Sequence, residues 1–174
     1  MISKEQLHQI MPFASAENLE KFCQPLNETM ERYQINTPQR MACFLSQLAH
    51  ESGCLKYVKE LATGQAYEGR KDLGNVQPGD GVKFKGRGLI QITGRTNYGA
   101  LGKALGADLI NHPELLEGPV YASLSAGWFW DSRKLNDPAD VLDFTRITKR
   151  INGGVNGMAD RLKYFELAKK TLGI

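Results

Sequence analysis

Two glutamates nine positions apart are the side chains of this 174-residue chain best suited to acid–base chemistry. Glu51 closes an apolar stretch within His50-Glu51-Ser52-Gly53, and Glu60 follows in a polar segment. Hydrolysis of a glycosidic bond needs one carboxylic acid that protonates the leaving oxygen and one carboxylate that activates water or attacks the sugar. The pair therefore predicts a sugar-cleaving enzyme, provided that both side chains face one cleft.

The chain must turn between the two acids. A continuous helix over residues 51–60 would place them about 13.5 Å apart along its axis and on opposite sides of it. Gly53 is the position at which the chain can turn. Glu51 lies one helical turn beyond Leu48, at the border of the apolar stripe, where partial burial favours the protonated form that an acid needs. Glu60 has lysines and a polar loop around it, which favour the ionised form that a base needs.

A third carboxylate, Glu68, competes with Glu60 for the role of base. It belongs to an irregular stretch from Ala62 to Lys85 that is rich in Gly, Asp, Asn and Pro. Long irregular loops in compact domains are usually functional. A surface ion pair with Arg70 or Lys71 is the simpler explanation of Glu68.

Helical signals dominate the rest of the chain. They are capping residues, first-turn prolines and apolar residues spaced at i, i+3, i+4 and i+7. The predicted helices begin at or near Ser3, Ser15, Pro25, Pro38, Asn97, Pro119, Pro138 and Met158. Lys56–Leu61 and Leu89–Thr93 alternate like short strands. We expect a mainly α-helical domain over residues 1–174 with a small β-hairpin or sheet beside a substrate cleft, and the first 36 residues to serve in packing.

Composition excludes several classes of protein. A net charge of +3 suits an anionic partner such as cell wall but is far from that of a nucleic-acid-binding protein. No stretch approaches the roughly 20 apolar residues of a membrane span. The N-terminus has acidic and amide residues where a signal peptide would be apolar, so we expect cytoplasmic synthesis. We also expect a monomer.

Neither a cofactor nor a metal is expected. The three histidines are scattered and no HExxH occurs among them. The cysteines are odd in number and lack CxxC spacing, which favours reduced thiols over disulfides or a zinc site. These cysteines are Cys23, Cys43 and Cys54.

Four segments resemble glycoside hydrolase family 19, which includes plant-type chitinases and many phage endolysins. They occur in the family's order and cover the chain from about residue 37 to its end. The segments are His50–Gly53, Gly86–Thr93 followed by Asn97-Tyr98, Ala126–Trp130, and Ile151–Gly154 followed by Arg161. The resemblance implies a lysozyme-like, mainly helical fold and an inverting mechanism.

The resemblance also implies roles for single residues. Glu51 resembles the general acid and Glu60 the base of the compact bacterial members, while a longer insertion in plant members keeps Glu68 open as an alternative. Thr93 stands where the family places a hydroxyl that holds the nucleophilic water. Arg161 resembles the arginine that pairs with the base. The positions that match substrate-binding residues are Gln91, Asn97, Tyr98 and Asn152.

Two polysaccharides fit this resemblance. A short chain without disulfides or a signal peptide looks like an endolysin, whose target is the β-1,4 bond between N-acetylmuramic acid and N-acetylglucosamine in peptidoglycan. A holin would then release the enzyme from the cytoplasm to the wall. The alternative is a chitinase that hydrolyses β-1,4 polymers of N-acetylglucosamine.

Two other classes are weaker. A cysteine amidase is conceivable because Cys54 lies four residues after His50. A non-catalytic wall-binding module would keep the amides of Gln91, Asn97 and Asn152, but it would have no need of the two acids.

Overall fold

The computed structural model describes residues 1–174 and is mostly helical. Three short 3-10 turns, Gln65–Tyr67, Lys71–Leu73 and Pro113–Glu117, accompany nine α-helices. The α-helices are α1 (Lys4–Ile10), α2 (Ala16–Arg32), α3 (Pro38–Glu51), α4 (Asp80–Lys83), α5 (Arg95–Leu105), α6 (Pro119–Ser132), α7 (Asn136–Asp140), α8 (Phe144–Asn152) and α9 (Met158–Leu172). None of them combines the length and apolar character needed to cross a membrane. The predicted mainly α-helical, lysozyme-like fold class is confirmed.

Local caps set the helix starts. The Ser3 hydroxyl accepts a hydrogen bond from the Gln6 amide, and the Gln6 side chain closes a reciprocal capping box at α1. Ser15 caps α2, and Thr37 caps α3 with Pro38 in its first turn. These helices begin where the sequence predicts them.

Two helix boundaries differ from the prediction. No new helix begins at Pro25, because α2 runs through it. The buried stripe continues on both sides of the proline, and its packing against α6 outweighs the hydrogen bond that proline removes. The helix predicted from Pro138 to about Ile151 is split into α7 and α8. Leu142 has a left-handed backbone there (φ +55°), and the Asp143 side chain caps α8.

Helix α3 runs through the centre of the molecule. Every residue from Ala42 to Ala49 is buried, and α9 packs along this helix. α1 packs against α9 and α2 against α6, so the first 36 residues cover the central helices. One cluster of 36 buried apolar residues forms the core. The C-terminal end of α3 is therefore held rigidly where Glu51 stands.

Gly127, in the aromatic segment that ends at Trp130, explains the close approach of α6 to α2. A Cβ atom at position 127 would lie 2.3 Å from the Tyr33 ring and 2.5 Å from the Thr29 methyl group. Trp130 is buried, and its indole N–H donates to the Asn136 side chain over 2.8 Å. This segment is therefore part of the core.

The predicted hairpin or sheet is reduced to two isolated antiparallel bridges, Lys59 with Arg87 and Arg87 with Ile92. The Glu60 N–H donates to the Gly86 carbonyl over 2.9 Å. The two alternating segments do lie side by side, but neither is long enough to form a ladder. Their contact places Glu60 beside the glycine-rich segment.

The irregular stretch from residue 62 to 85 is held by buried polar groups. Arg95 donates two hydrogen bonds of 2.8 Å to the carboxylate of Asp80, whose side chain is only 2% exposed. The Asn75 side chain, also buried, donates to the Tyr67 carbonyl and accepts from the Arg95 N–H, both over 2.9 Å. Hydrogen bonds from Arg95 hold the pKa of Asp80 below its usual value.

Asp80→Asn is expected to lower the free energy of unfolding near neutral pH by about 2–3 kcal/mol, because a buried charge-assisted pair is lost. Since the pKa of Asp80 is lower in the folded than in the unfolded protein, the pair stabilises the fold fully above the usual pKa of 3.8. This contribution disappears as the pH falls through the lowered folded-state value. Urea unfolding of both proteins at pH 7 and at progressively lower pH measures this convergence. A constant difference at every pH would contradict it.

Candidate active site

The chain reverses directly after Glu51. Gly53, Cys54 and Leu55 have φ values of +58°, +55° and +69°, so three successive residues have a left-handed backbone. Non-glycine residues rarely adopt this conformation. Ser52 stabilises the reversal, because its hydroxyl donates to the Leu48 carbonyl and accepts from the Leu55 N–H. The turn that the two acids require is present at the predicted glycine.

Glu51 forms an ion pair with a buried arginine. The Arg161 Nη2 atom lies 2.7 Å from Glu51 Oε1; the arginine side chain is 2% exposed and that of the glutamate 22%. The expected pairing of Arg161 with the base Glu60 is thus wrong. Arg161 lies in the first turns of α9, which packs along the helix that carries Glu51, whereas Glu60 lies beyond the reversal.

Arg161 is itself held by a chain of buried polar groups. Its Nη1 donates to Gln47 Oε1 over 2.6 Å, and its Nε donates to the Asn156 carbonyl over 3.0 Å. Gln47 in turn donates to the Thr148 hydroxyl over 2.9 Å. Helices α3, α8 and α9 therefore share one hydrogen-bond network that ends at Glu51. The sequence analysis does not predict a role for Gln47 or Thr148. The feature of the sequence that indicates one is a glutamine one helical turn before Glu51 within an apolar stripe.

His50 forms a further contact between α3 and α9. Its Nδ1 lies 2.7 Å from the Asp160 carboxylate. The imidazole covers Gly157 so closely that a Cβ atom there would lie 2.3 Å from the ring. Cys54 is buried, with 2% of the residue exposed. A cysteine amidase needs an accessible nucleophile beside its histidine, and this pair does not provide one.

Glu60 has two unlike carboxylate oxygens. The Tyr67 hydroxyl donates to Oε2 over 3.0 Å, while Oε1 is buried without any hydrogen-bond partner. Burial and the neighbouring carboxylate raise the pKa of Tyr67, which keeps the phenol protonated and able to donate. Tyr67 is a further site residue that the sequence pattern did not reveal.

Gly86 allows the glycine-rich segment to approach the second acid. A Cβ atom at position 86 would lie 2.8 Å from the Gln91 side-chain oxygen and 3.1 Å from Glu60 Oε2. Gln91 has a left-handed backbone (φ +58°), and its side-chain amide donates to the Gly88 carbonyl. The Thr93 hydroxyl donates to the Gln91 carbonyl over 3.0 Å. The structure thus places Gln91 beside Glu60 and Thr93 on the same turn.

The remaining predicted substrate-binding residues differ in exposure. Asn97 and Asn152 are exposed, and the Asn97 amide donates to the Thr93 carbonyl. Tyr98 is fully buried; its hydroxyl donates to the Lys85 carbonyl, and burial raises its pKa to about 12. The assignment of Tyr98 to substrate binding is therefore wrong, because its phenol supports the loop from inside the core.

Glu68 is exposed and bonded to the backbone. Its carboxylate accepts hydrogen bonds from the N–H groups of Gly79 (3.0 Å) and Gly81 (3.5 Å). Arg70 pairs with Asp72 instead, so the expected ion pair of Glu68 is not formed. Glu68 therefore links the segment after Tyr67 to the segment that contains Gly79 and Gly81.

Comparison with known proteins places the chain in a family. The sequence pattern described as Chitinase class I, of glycoside hydrolase family 19, matches residues 33–145. A family 19 domain-containing protein of Haemophilus influenzae is 32% identical over 197 aligned positions, which cover 95% of this chain and 94% of that protein. An Arabidopsis thaliana endochitinase is 39% identical over 129 positions, which cover 73% of this chain but only 44% of the endochitinase.

A solved structure of a chitinase is also similar to this chain. Chitinase C from Streptomyces griseus superposes with a TM-score of 0.81 at 25% identity, over 99% of this chain and 76% of that one. The family pattern, the relative that matches nearly end to end and the structural likeness point to one conclusion. The chain belongs to glycoside hydrolase family 19 and is a chitinase-like glycosidase.

Proposed function

We propose that Glu51 and Glu60 are the general acid and the general base of an inverting glycosidase. The observation that carries this proposal is the unlike bonding of the Glu60 oxygens. Tyr67 fixes Oε2, whereas Oε1 is buried and accepts no hydrogen bond. Buried acceptors are nearly always satisfied, so an unpaired oxygen beside the glycine-rich segment indicates a catalytic rather than a structural carboxylate. Glu68 is the weaker candidate for the base, because both of its oxygens already accept from backbone N–H groups.

In the proposed reaction one proton leaves Glu51 and one proton arrives at Glu60. Glu51 gives its proton to the glycosidic oxygen while the bond from that oxygen to the anomeric carbon breaks. Water attacks the same carbon from the opposite face and gives a proton to Glu60. The carboxylate left on Glu51 is stabilised by the Arg161 guanidinium 2.7 Å away. In this proposal Thr93, whose hydrogen is directed to a carbonyl, accepts the second hydrogen of the water.

The amide side chains supply recognition of the sugar. Gln91, Asn97 and Asn152 can donate and accept at once, which suits sugar hydroxyls and acetamido groups. Asn97 and Asn152 are exposed, and Gln91 lies beside the base. We place the reacting sugars against these three residues.

The substrate that we propose is peptidoglycan, cleaved between N-acetylmuramic acid and N-acetylglucosamine in the manner of an endolysin. The bacterial relative matches nearly end to end, whereas the chain spans less than half of the Arabidopsis endochitinase. The positive net charge of +3 suits an anionic wall. Holin-dependent release of a monomer from the cytoplasm to the wall completes this proposal.

Chitin is the second candidate, and it is favoured by the endochitinases among the relatives. Both polymers consist of β-1,4-linked sugars with 2-acetamido groups. Chitin lacks the lactyl ether and the peptide that muramic acid carries. The two substrates therefore differ in substituents beside the sugar rings, not in the bond that is broken.

Product analysis tests these proposals. Purified protein is incubated with peptidoglycan sacculi and with chitin oligomers, and the products are examined by mass spectrometry and reducing-end assay. New reducing ends on N-acetylmuramic acid, formed first as the α-anomer, are expected. Cleavage of chitin oligomers alone would establish the chitinase, and release of peptides without new reducing ends would contradict a glycosidase.

A further inference from the structure

A pocket of about 450 Å³ lies on the loop that follows Tyr67. Its wall includes Glu68, Lys71 and Asn75, together with the apolar side chains of Val76 and Pro78. None of these residues has a role in the proton transfers proposed above. The pocket therefore needs an explanation of its own.

The wall of this pocket is preformed. Asn75 is buried with its side chain bonded at both ends, to the Tyr67 carbonyl and to the Arg95 N–H. Glu68 is fastened to the backbone of Gly79 and Gly81. A rigid wall loses little conformational entropy when a ligand binds.

Tyr67 links the proposed base to the wall of the pocket through two hydrogen bonds. Tyr67 donates its phenolic hydrogen to Glu60, and its own carbonyl accepts from Asn75 in the pocket wall. One residue thus connects the base to the pocket.

The chemistry of the pocket suits a carboxylate that is attached to small apolar groups. Lys71 is exposed and has no ion pair, because its neighbours Arg70 and Asp72 pair with each other. Beside it, Val76 is 69% exposed. A free ammonium group next to apolar surface can bind the carboxylate of a short peptide and cover its methyl groups.

We propose that this pocket binds the carboxylate-bearing peptide substituent that distinguishes peptidoglycan from chitin, with Lys71 as the group that recognises the carboxylate. The inference rests on the proposed peptidoglycan activity and deepens it. According to this inference, the loop from Glu68 to Pro78 determines the preference for peptidoglycan over chitin, and the two acids do not.

The test compares Lys71→Glu with Lys103→Glu, a matched charge reversal at an exposed, unpaired lysine of α5. Three substrates are used: glycan strands that retain their peptides, the same strands after enzymatic removal of the peptides, and chitin oligomers. Lys71→Glu is expected to lower kcat/KM roughly 5- to 20-fold on the peptide-bearing strands alone. Lys103→Glu is expected to leave all three rates unchanged.

The outcomes separate this inference from the proposed function. If the wild-type protein cleaves both kinds of strand and Lys71→Glu slows neither or both equally, the peptide pocket is refuted and the peptidoglycan activity stands. If the wild-type protein cleaves only chitin oligomers, both proposals fail. Circular dichroism of the two variants shows whether a loss of activity reflects unfolding.

Discussion

Glu51→Gln is expected to lower kcat by about 10²–10⁴-fold, the usual contribution of a positioned general acid. The amide has the shape of the carboxylic acid and can still lie against the Arg161 guanidinium, but it has no acidic proton to give to the leaving sugar. The fold should therefore remain intact. Steady-state kinetics on the preferred glycan measures the loss, and circular dichroism with thermal unfolding verifies the fold.

Two further variants make this prediction specific. Glu60→Gln should show a comparable loss, because it removes the only acceptor for the proton of water. Glu68→Gln, measured on glycan strands without peptides, is the control, since it changes the same functional group away from the unpaired oxygen of Glu60. If Glu68→Gln were inactive and Glu60→Gln active, the base would be Glu68. An active Glu51→Gln would remove the basis of the proposed mechanism.

Helix starts could be predicted from the sequence because capping is local. Ser3, Ser15 and Thr37 each accept a hydrogen bond from a backbone N–H three residues ahead. The helix start predicted at Pro25 is wrong because the effect of a proline is not local. Whether a proline ends a helix depends on the packing on both sides of it, and the partner here is α6, about a hundred residues further along the chain.

The acids and their turn could be recognised, but the groups around them could not. Glu51, Gly53 and Glu60 lie within ten residues. Their spacing along the chain is therefore enough to predict a turn between the two acids. Gln47 meets Thr148 across 101 positions and Arg161 across 114. Such contacts exist only once α3, α8 and α9 have packed together, which is also why Arg161 was assigned to the wrong acid.

Tyr98 shows a second limit. Its place after Asn97 predicted a role in binding substrate, but a phenol at that position can point into the cleft or into the core. The structure buries it against Phe84, with ring centroids 5.1 Å apart. Spacing along the chain identifies neighbours in sequence, whereas the direction of a side chain depends on which face of its helix is covered.

Gln47→Leu tests whether the buried network positions the acid or only stabilises the fold. The change leaves the Arg161 Nη1 group buried without its acceptor, while the Thr148 hydroxyl keeps its bond to the Phe144 carbonyl. We therefore expect the free energy of unfolding to fall by about 1–3 kcal/mol. Arg161 then loses one of its three contacts and no longer fixes Glu51. A displaced acid should lower kcat roughly 10- to 100-fold, with little change in KM.

Thr148→Val is the matched control for this experiment. It removes the far end of the network and leaves the hydrogen bond from Arg161 to Gln47 in place. We expect it to lower stability while kcat changes much less than in Gln47→Leu. Chemical unfolding and kinetics on both variants separate the two effects. If both variants lost stability equally and kept wild-type kcat, the hydrogen bonds of Gln47 and Thr148 would have no effect on the position of Glu51. The acid would then be positioned by Arg161 and the end of α3 alone.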